Sequence, residues 1–139
     1  MEDCVFCKIV KGEIPATKVY EDDSIISFLD IYPANKGHTL VVTKEHFETL
    51  LDLPDELLAK LTDVTKKVAE GVVRGLRTDG FNILMNNKKV SGQLVPHTHF
   101  HIIPRFEGDG INLQWVHKQY VNNEMADFRE RIVRNIKQF

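Results

Sequence analysis

Residues 97 to 101 read His-Thr-His-Phe-His, followed by Ile102-Ile103-Pro104-Arg105. Three histidines at alternate positions are the strongest chemical signal in the chain. On a β-strand alternate side chains point to one face, so the spacing predicts that His97, His99 and His101 stand side by side. Imidazole is the side chain whose unperturbed pKa brings both protonation states within reach of neutral pH. Such a row can supply a nucleophile, a proton donor and a support, or it can ligate a metal. A single strand histidine is most often a satisfied polar residue. Three on one face would be costly to bury unless each is bonded, which favours a functional reading.

A second cluster of reactive side chains lies at the other end of the sequence. Cys4 and Cys7, the only cysteines, have C-x-x-C spacing. Two cysteines are too few for a secreted disulfide scaffold, so metal or redox chemistry is the alternative to inert thiols. A tetrahedral zinc site would need two more ligands. A closed four-ligand set of this kind would be structural.

The elements that must carry these groups can be read from pattern. Residues 4–11 could form a short helix stopped at Gly12. Residues 18–21 and 24–29 read as strands joined at Asp22-Asp23. A loop over 30–37 leads into a β-branched third strand over 38–43. The best helix candidate spans 54–76. Pro54, Asp55 and Glu56 suit its first turn, and Leu57, Leu61, Val64, Val68 and Val72 form one apolar stripe. Further strands are expected over 81–86 and 98–104, separated by a loop, and a last helix over 124–136 with Phe128, Ile132 and Ile136 aligned. The short connections favour antiparallel pairing, so the predicted class is α+β.

The 139 residues suggest one domain, and the 42% hydrophobic and 27% charged content is that of an ordinary globular chain. A formal charge of -2 gives no basic face for nucleic acid. No apolar run approaches a membrane span, and the first residues lack the pattern of a signal peptide. The expectation is a cytoplasmic protein with no nucleic-acid or membrane partner.

His97-x-His99-x-His101-Ile102-Ile103 resembles the motif of the histidine-triad (HIT) family, in its bacterial Hit/Hint-like branch. Residues 6–15 (Phe-Cys-Lys-Ile-Val-Lys-Gly-Glu-Ile-Pro), 27–31 (Ser-Phe-Leu-Asp-Ile) and 36–42 (Lys-Gly-His-Thr-Leu-Val-Val) extend the likeness, as do Asn86 and Gly92-Gln93. The likeness covers about residues 4–105 and leaves a divergent tail over 106–139. It implies a HIT-like fold, with an antiparallel sheet of about five strands, a long helix and a C-terminal helix, in a homodimer. It also implies cleavage of the α-phosphate bond of adenosine-5′-phosphoryl compounds, with His99 as nucleophile and AMP as product.

By the same resemblance His101 and His38 are further catalytic residues. Asp30 meets the ribose hydroxyls of a purine nucleotide, and Asn86, Gly92 and Gln93 serve the phosphate alongside His99 and His101. Some bacterial members hold zinc with residues matching Cys4, Cys7, His46 and His97. Two departures stand out. Leu94 occupies a place where many members have Ser or Thr, and Pro96 is uncommon immediately before the triad. Two other readings remain open at this point. The three histidines could bind one catalytic metal, or the chain could be a non-enzymatic nucleotide-binding adaptor.

Overall fold

The computed structural model describes residues 3–136. Five strands form one antiparallel sheet: β1 (Lys18–Glu21), β2 (Ile25–Leu29), β3 (Thr39–Thr43), β4 (Gly80–Leu84) and β5 (His99–Arg105), in the order β1-β2-β3-β5-β4. A short helix α1 (Val5–Val10), a long helix α2 (Asp55–Leu76) and a terminal helix α3 (Glu124–Arg134) complete it. The α+β class read from the sequence is the observed one.

The two central strands explain why their sequences lack polar alternation. Both β2 and β3 are covered on both faces. On one face Ile25, Val41 and Ile102 pack against Leu61, Val64 and Ala69 of α2. On the other, Ile26, Phe28, Leu40 and Val42 pack against Cys4, Phe6, Cys7 and Ile9, from α1 and the residue before it. The strand register then decides which face carries the histidines. His99 pairs with Val42 and His101 with Leu40, so both point to the α1 face.

Helix α2 carries the predicted stripe, with Leu57, Val68 and Val72 at its half-buried margins. It ends at Arg77, whose φ of 53° places it in the left-handed region, with its N–H donating to Val73 O. Near that end Gly37 lies against the tip of the Leu76 side chain, and its φ of 99° favours glycine. That glycine closes the 30–38 loop against the helix.

One expectation is corrected. The last strand begins at His99, so His97 lies just outside the ladder, in a turn where its N–H donates to Val95 O at 2.8 Å. Helix α3 forms as expected, but its aligned side chains do not join this chain's core. Every described residue from 112 to 136 is exposed, including Phe128 and Ile132.

Candidate active site and metal cluster

The nucleophile candidate is held by a hydrogen bond and an aromatic contact. His99 Nδ1 lies 2.6 Å from the carbonyl oxygen of His97. A carbonyl only accepts, so Nδ1 carries the proton and the lone pair falls on Nε2. Phe6 of α1 stands edge-on to the ring, with centroids 5.0 Å apart. The ring is almost fully buried, and this burial lowers its pKa and keeps it neutral.

His101 and His38 form a directed pair. The backbone N–H of Ala34 donates to His38 Nδ1 at 3.0 Å. The proton of neutral His38 must then sit on Nε2, which lies 2.9 Å from His101 Nδ1. His101 therefore accepts at Nδ1 and carries its own proton on Nε2. Burial, followed by the neighbouring His99 and His38, pushes the pKa of His101 down to about 4. Burial likewise lowers that of His38.

Asp30 follows β2 and faces the same pair. Its Oδ2 lies 3.8 Å from His38 Nε2, and its Oδ1 accepts the N–H of Tyr32 at 2.9 Å. Although Asp30, His38 and His101 lie close enough to share a cation, the tautomer imposed by Ala34 puts a proton on the very nitrogen of His38 that would have to bind it.

A cavity of about 430 Å³ opens over these groups. Asp30, His99 and His101 line it together with an apolar wall that includes Phe6, Ile9, Phe28 and Leu40. Its size and its few converging polar groups suit a small organic ligand. Gly92 and Leu94 lie on its border. Gly92 has φ 108°, a conformation that favours glycine.

The loop does not present the amide donors expected of it. Gln93 is buried, with Nε2 donating to Glu48 O at 2.6 Å and Oε1 accepting Lys88 N–H at 2.7 Å. The N–H groups of Gly92 and Gln93 are bonded to Lys89 O and Lys88 O. Asn86 Nδ2 reaches only Gly92 O, at 3.4 Å. These residues shape the loop from behind. Lys88 pairs with Glu48 at 3.1 Å, and Arg105 is engaged by Asp109, Asn82 and the carbonyl of Ile111.

Cys4, Cys7, His46 and His97 come together beside this site, their ligand atoms all within 4.8 Å of one another. Cys4 Sγ lies 3.2 Å from His97 Nδ1, Cys7 Sγ 3.3 Å from His46 Nδ1, and the two Nδ1 atoms are 3.1 Å apart. Tetrahedral zinc with its usual bond lengths needs edges of about 3.3–3.8 Å, so a small expansion would accommodate the ion. His97 Nε2 lies 2.6 Å from Thr43 O, which fixes the proton there and leaves Nδ1 as the ligand atom. The donor set fits zinc.

This arrangement overturns the reading in which all three histidines grip one catalytic metal. His97 turns its Nδ1 to the cysteines, whereas His99 gives its Nδ1 proton to a carbonyl. Phe6, Thr43 O and the Ala34 N–H were missed as site-building groups. Only Phe6 had a sequence signal, its place beside Cys7.

The HIT domain family model matches residues 11–108. An uncharacterized HIT-like protein of Methanocaldococcus jannaschii is 56% identical over 107 residues, which are 77% of this chain and 82% of that one. The adenosine 5′-monophosphoramidase of Schizosaccharomyces pombe is 39% identical over 135 residues, 96% of this chain and 98% of that one. Among solved structures, a HIT family member from Bacillus subtilis superposes with a TM-score of 0.91 at 37% identity, covering 99% of both chains. A zinc-bound histidine triad family protein from Mycobacterium smegmatis gives 0.76 at 40% identity, covering 84% of this chain and 85% of that one. The chain belongs to the HIT family.

Proposed function

We propose that this chain cleaves adenosine-5′-phosphoryl compounds at the α-phosphate through a nucleotidyl group carried on His99, and releases AMP. The observation that carries the reading is the bond from His99 Nδ1–H to His97 O, in a ring that lines the cavity. It leaves one nitrogen lone pair for attack at phosphorus. The S. pombe relative, named an adenosine 5′-monophosphoramidase, supports the same class of reaction.

The steps balance with one water consumed. The Nε2 lone pair of His99 forms a bond to phosphorus as the bond to the leaving group breaks. The departing atom keeps the electron pair and takes a proton from solvent, which the attacking water later returns. Water then attacks phosphorus, AMP departs, and His99 returns neutral. His101, through Nε2–H, donates to the phosphoryl oxygens, and His38 orients it. The two carboxylate oxygens of Asp30 suit the two hydroxyls of a ribose, and the apolar wall beyond it suits a purine.

The residues of the Cys4, Cys7, His46 and His97 cluster would hold zinc, which would supply a rigid cross-link and no open coordination position. Agreement with the zinc-bound M. smegmatis neighbour supports this role. A homodimer is supported by the edge strand β4, with Phe81 and Ile83 exposed beside its unpaired backbone, and by the exposed apolar side chains of the tail. No described helix is long and apolar enough to cross a membrane.

Incubation with adenosine 5′-phosphoramidate tests the reading. AMP should appear with the wild-type chain and fall by at least about 10³-fold with His99→Ala, a loss in the range expected when a nucleophile is removed. AMP binding without turnover of any adenylylated compound would favour the adaptor reading instead.

A further inference from the structure

The loop from Asp30 to His38 carries three groups of the proposed site: the Asp30 carboxylate, the Ala34 N–H and the His38 ring. Residues 31–34 are all exposed, so little packing holds this stretch in place. Its internal bonds fix its shape. Asp30 N–H donates to His38 O at 2.9 Å, and His38 N–H donates to Asn35 O at 2.9 Å. Ala34 and Asn35 therefore bracket His38, one with an N–H on its ring and the other with a carbonyl on its main chain. These bonds do not tie the loop to the strand that bears His101.

Asn35 makes that tie. It is half-buried where its neighbours are exposed. Its Nδ2 donates to Pro104 O at 2.8 Å and to Asp109 Oδ2 at 3.0 Å. Among the described residues 31–37 it is the only side chain that hydrogen-bonds outside the loop. Pro104 lies on β5, the strand of His101.

Asp109 is itself anchored. Its side chain is 8% exposed. Oδ2 also accepts Arg105 Nε–H at 2.8 Å and Phe106 N–H at 3.0 Å, and Oδ1 accepts Arg105 Nη2–H at 3.1 Å and Ile111 N–H at 3.0 Å. Bonds to a carboxylate from a guanidinium are charge-assisted and strong. Arg105 Nη1 in turn donates to Asn82 Oδ1 on β4 at 2.9 Å. Asp109 lies beyond the residues that carry the family likeness, and neither it nor Asn35 lines the cavity over His99 and His101.

We propose that Asn35 and Asp109 are positioning residues for the His38–His101 pair: they hold Ala34 and Asn35 to β5, so that Ala34 N–H stays on His38 Nδ1 and His101 keeps its proton on Nε2. This rests on the role given to His101 above and adds two residues outside the cavity to it. Release of Asn35 frees an exposed loop. His38 Nδ1 then loses its donor, either nitrogen of His38 can carry the proton, and His101 becomes a mixture of two tautomers. In one of them Nε2 has no proton to give to a phosphoryl oxygen.

The test uses Asn35→Ala and Asn35→Asp in the full chain. The aspartate keeps the shape of asparagine and removes both donors, so it separates the hydrogen bonds from packing. Long-range proton–nitrogen NMR correlations of the imidazole rings read the tautomer of His101 without substrate. The wild type should show a protonated Nε2 and an unprotonated Nδ1, and both variants should show intermediate shifts at the two nitrogens. Hydrolysis of adenosine 5′-phosphoramidate should lose about tenfold or more in kcat in both variants, with KM changed by less than about twofold, as expected when a reacting group is misplaced and not removed. An unchanged His101 tautomer in both variants, or an unchanged kcat beside a shifted tautomer, would overturn the proposal. If the wild-type chain hydrolysed nothing, the hydrolase reading would fail, and the spectra alone would still decide whether Asn35 sets the tautomer.

Discussion

The carbonyl of His97 and Nδ1 of His99 are 2.6 Å apart, and the ring of the same His97 reaches Cys4 at 3.2 Å. One residue thus belongs to both clusters. Its side chain belongs to the candidate metal cluster, and its main chain sets the tautomer of the proposed nucleophile. The two clusters share a support although they share no chemistry.

Removing the metal should therefore loosen the fold around His97. Binding at a hundred times Kd stabilises a protein by about 2.7 kcal/mol. For a chain of this size that corresponds to roughly 5–15 °C in Tm. Zinc analysis should find one ion per chain, and strong chelation or Cys7→Ser should lower Tm within that range. His99→Ala should retain the ion, because its ring is not among the ligands.

Phe6 joins α1 to the proposed nucleophile. It is buried against Phe28, with centroids 5.5 Å apart, and stands perpendicular to His99. Truncation of such an aromatic costs about 3–5 kcal/mol. Phe6→Leu keeps most of the volume and loses the flat edge that holds the imidazole. Steady-state kinetics should show a fall in kcat larger than any rise in KM, with a modest loss in denaturation midpoint.

His38→Phe keeps a planar ring at that position and abolishes the donor to His101 Nδ1. His101 would then be free to place its proton on either nitrogen. A loss of about 10²-fold in kcat is expected, in the range for disrupted acid–base positioning. AMP affinity, measured by calorimetry, should change much less.

Acid should destabilise the protein through the same histidines. The unfolded imidazole of His101 takes up a proton below about pH 6.5, and the folded one only near pH 4. Between those values the unfolded state binds more protons, so stability falls as pH falls from about 6.5 toward 4 and is insensitive to this group above that window. His38 is shifted in the same direction and adds to the slope. Urea midpoints across this range should slope for the wild type and slope less for His101→Asn. Asp109 acts lower on the scale. Its bond to Arg105 holds its pKa well below the usual carboxylate range, so its stabilisation is present above about pH 4 and lost in stronger acid.

The histidine spacing and the stripe of α2 were legible in residue type and period, whereas His46 and His97 join Cys4 and Cys7 in the candidate metal cluster through the family resemblance. Other features depend on contacts across the fold. The strand starting at His99 instead of before it follows from the turn at His97, which Pro96 only hints at. Gln93 reads as a ligand donor because an amide beside a glycine suits phosphate. Its bond to Glu48 O joins residues 45 positions apart, and its bond to Lys88 N–H, five residues back, depends on how the loop turns. The tautomer of His101 depends on a backbone N–H at Ala34, and side-chain identity there carries no signal of it. Helix α3 was legible from its period, whereas its lack of a partner within the chain was not.

The most direct test is to catch the intermediate. Wild-type protein is mixed with an adenylylated fluorogenic amine, quenched in denaturant within the first turnover, digested and weighed. A nucleotidyl adduct is expected on the peptide containing His99, absent in His99→Gln. Full turnover with no adduct at the earliest quench times, together with undiminished activity in His99→Gln, would contradict it.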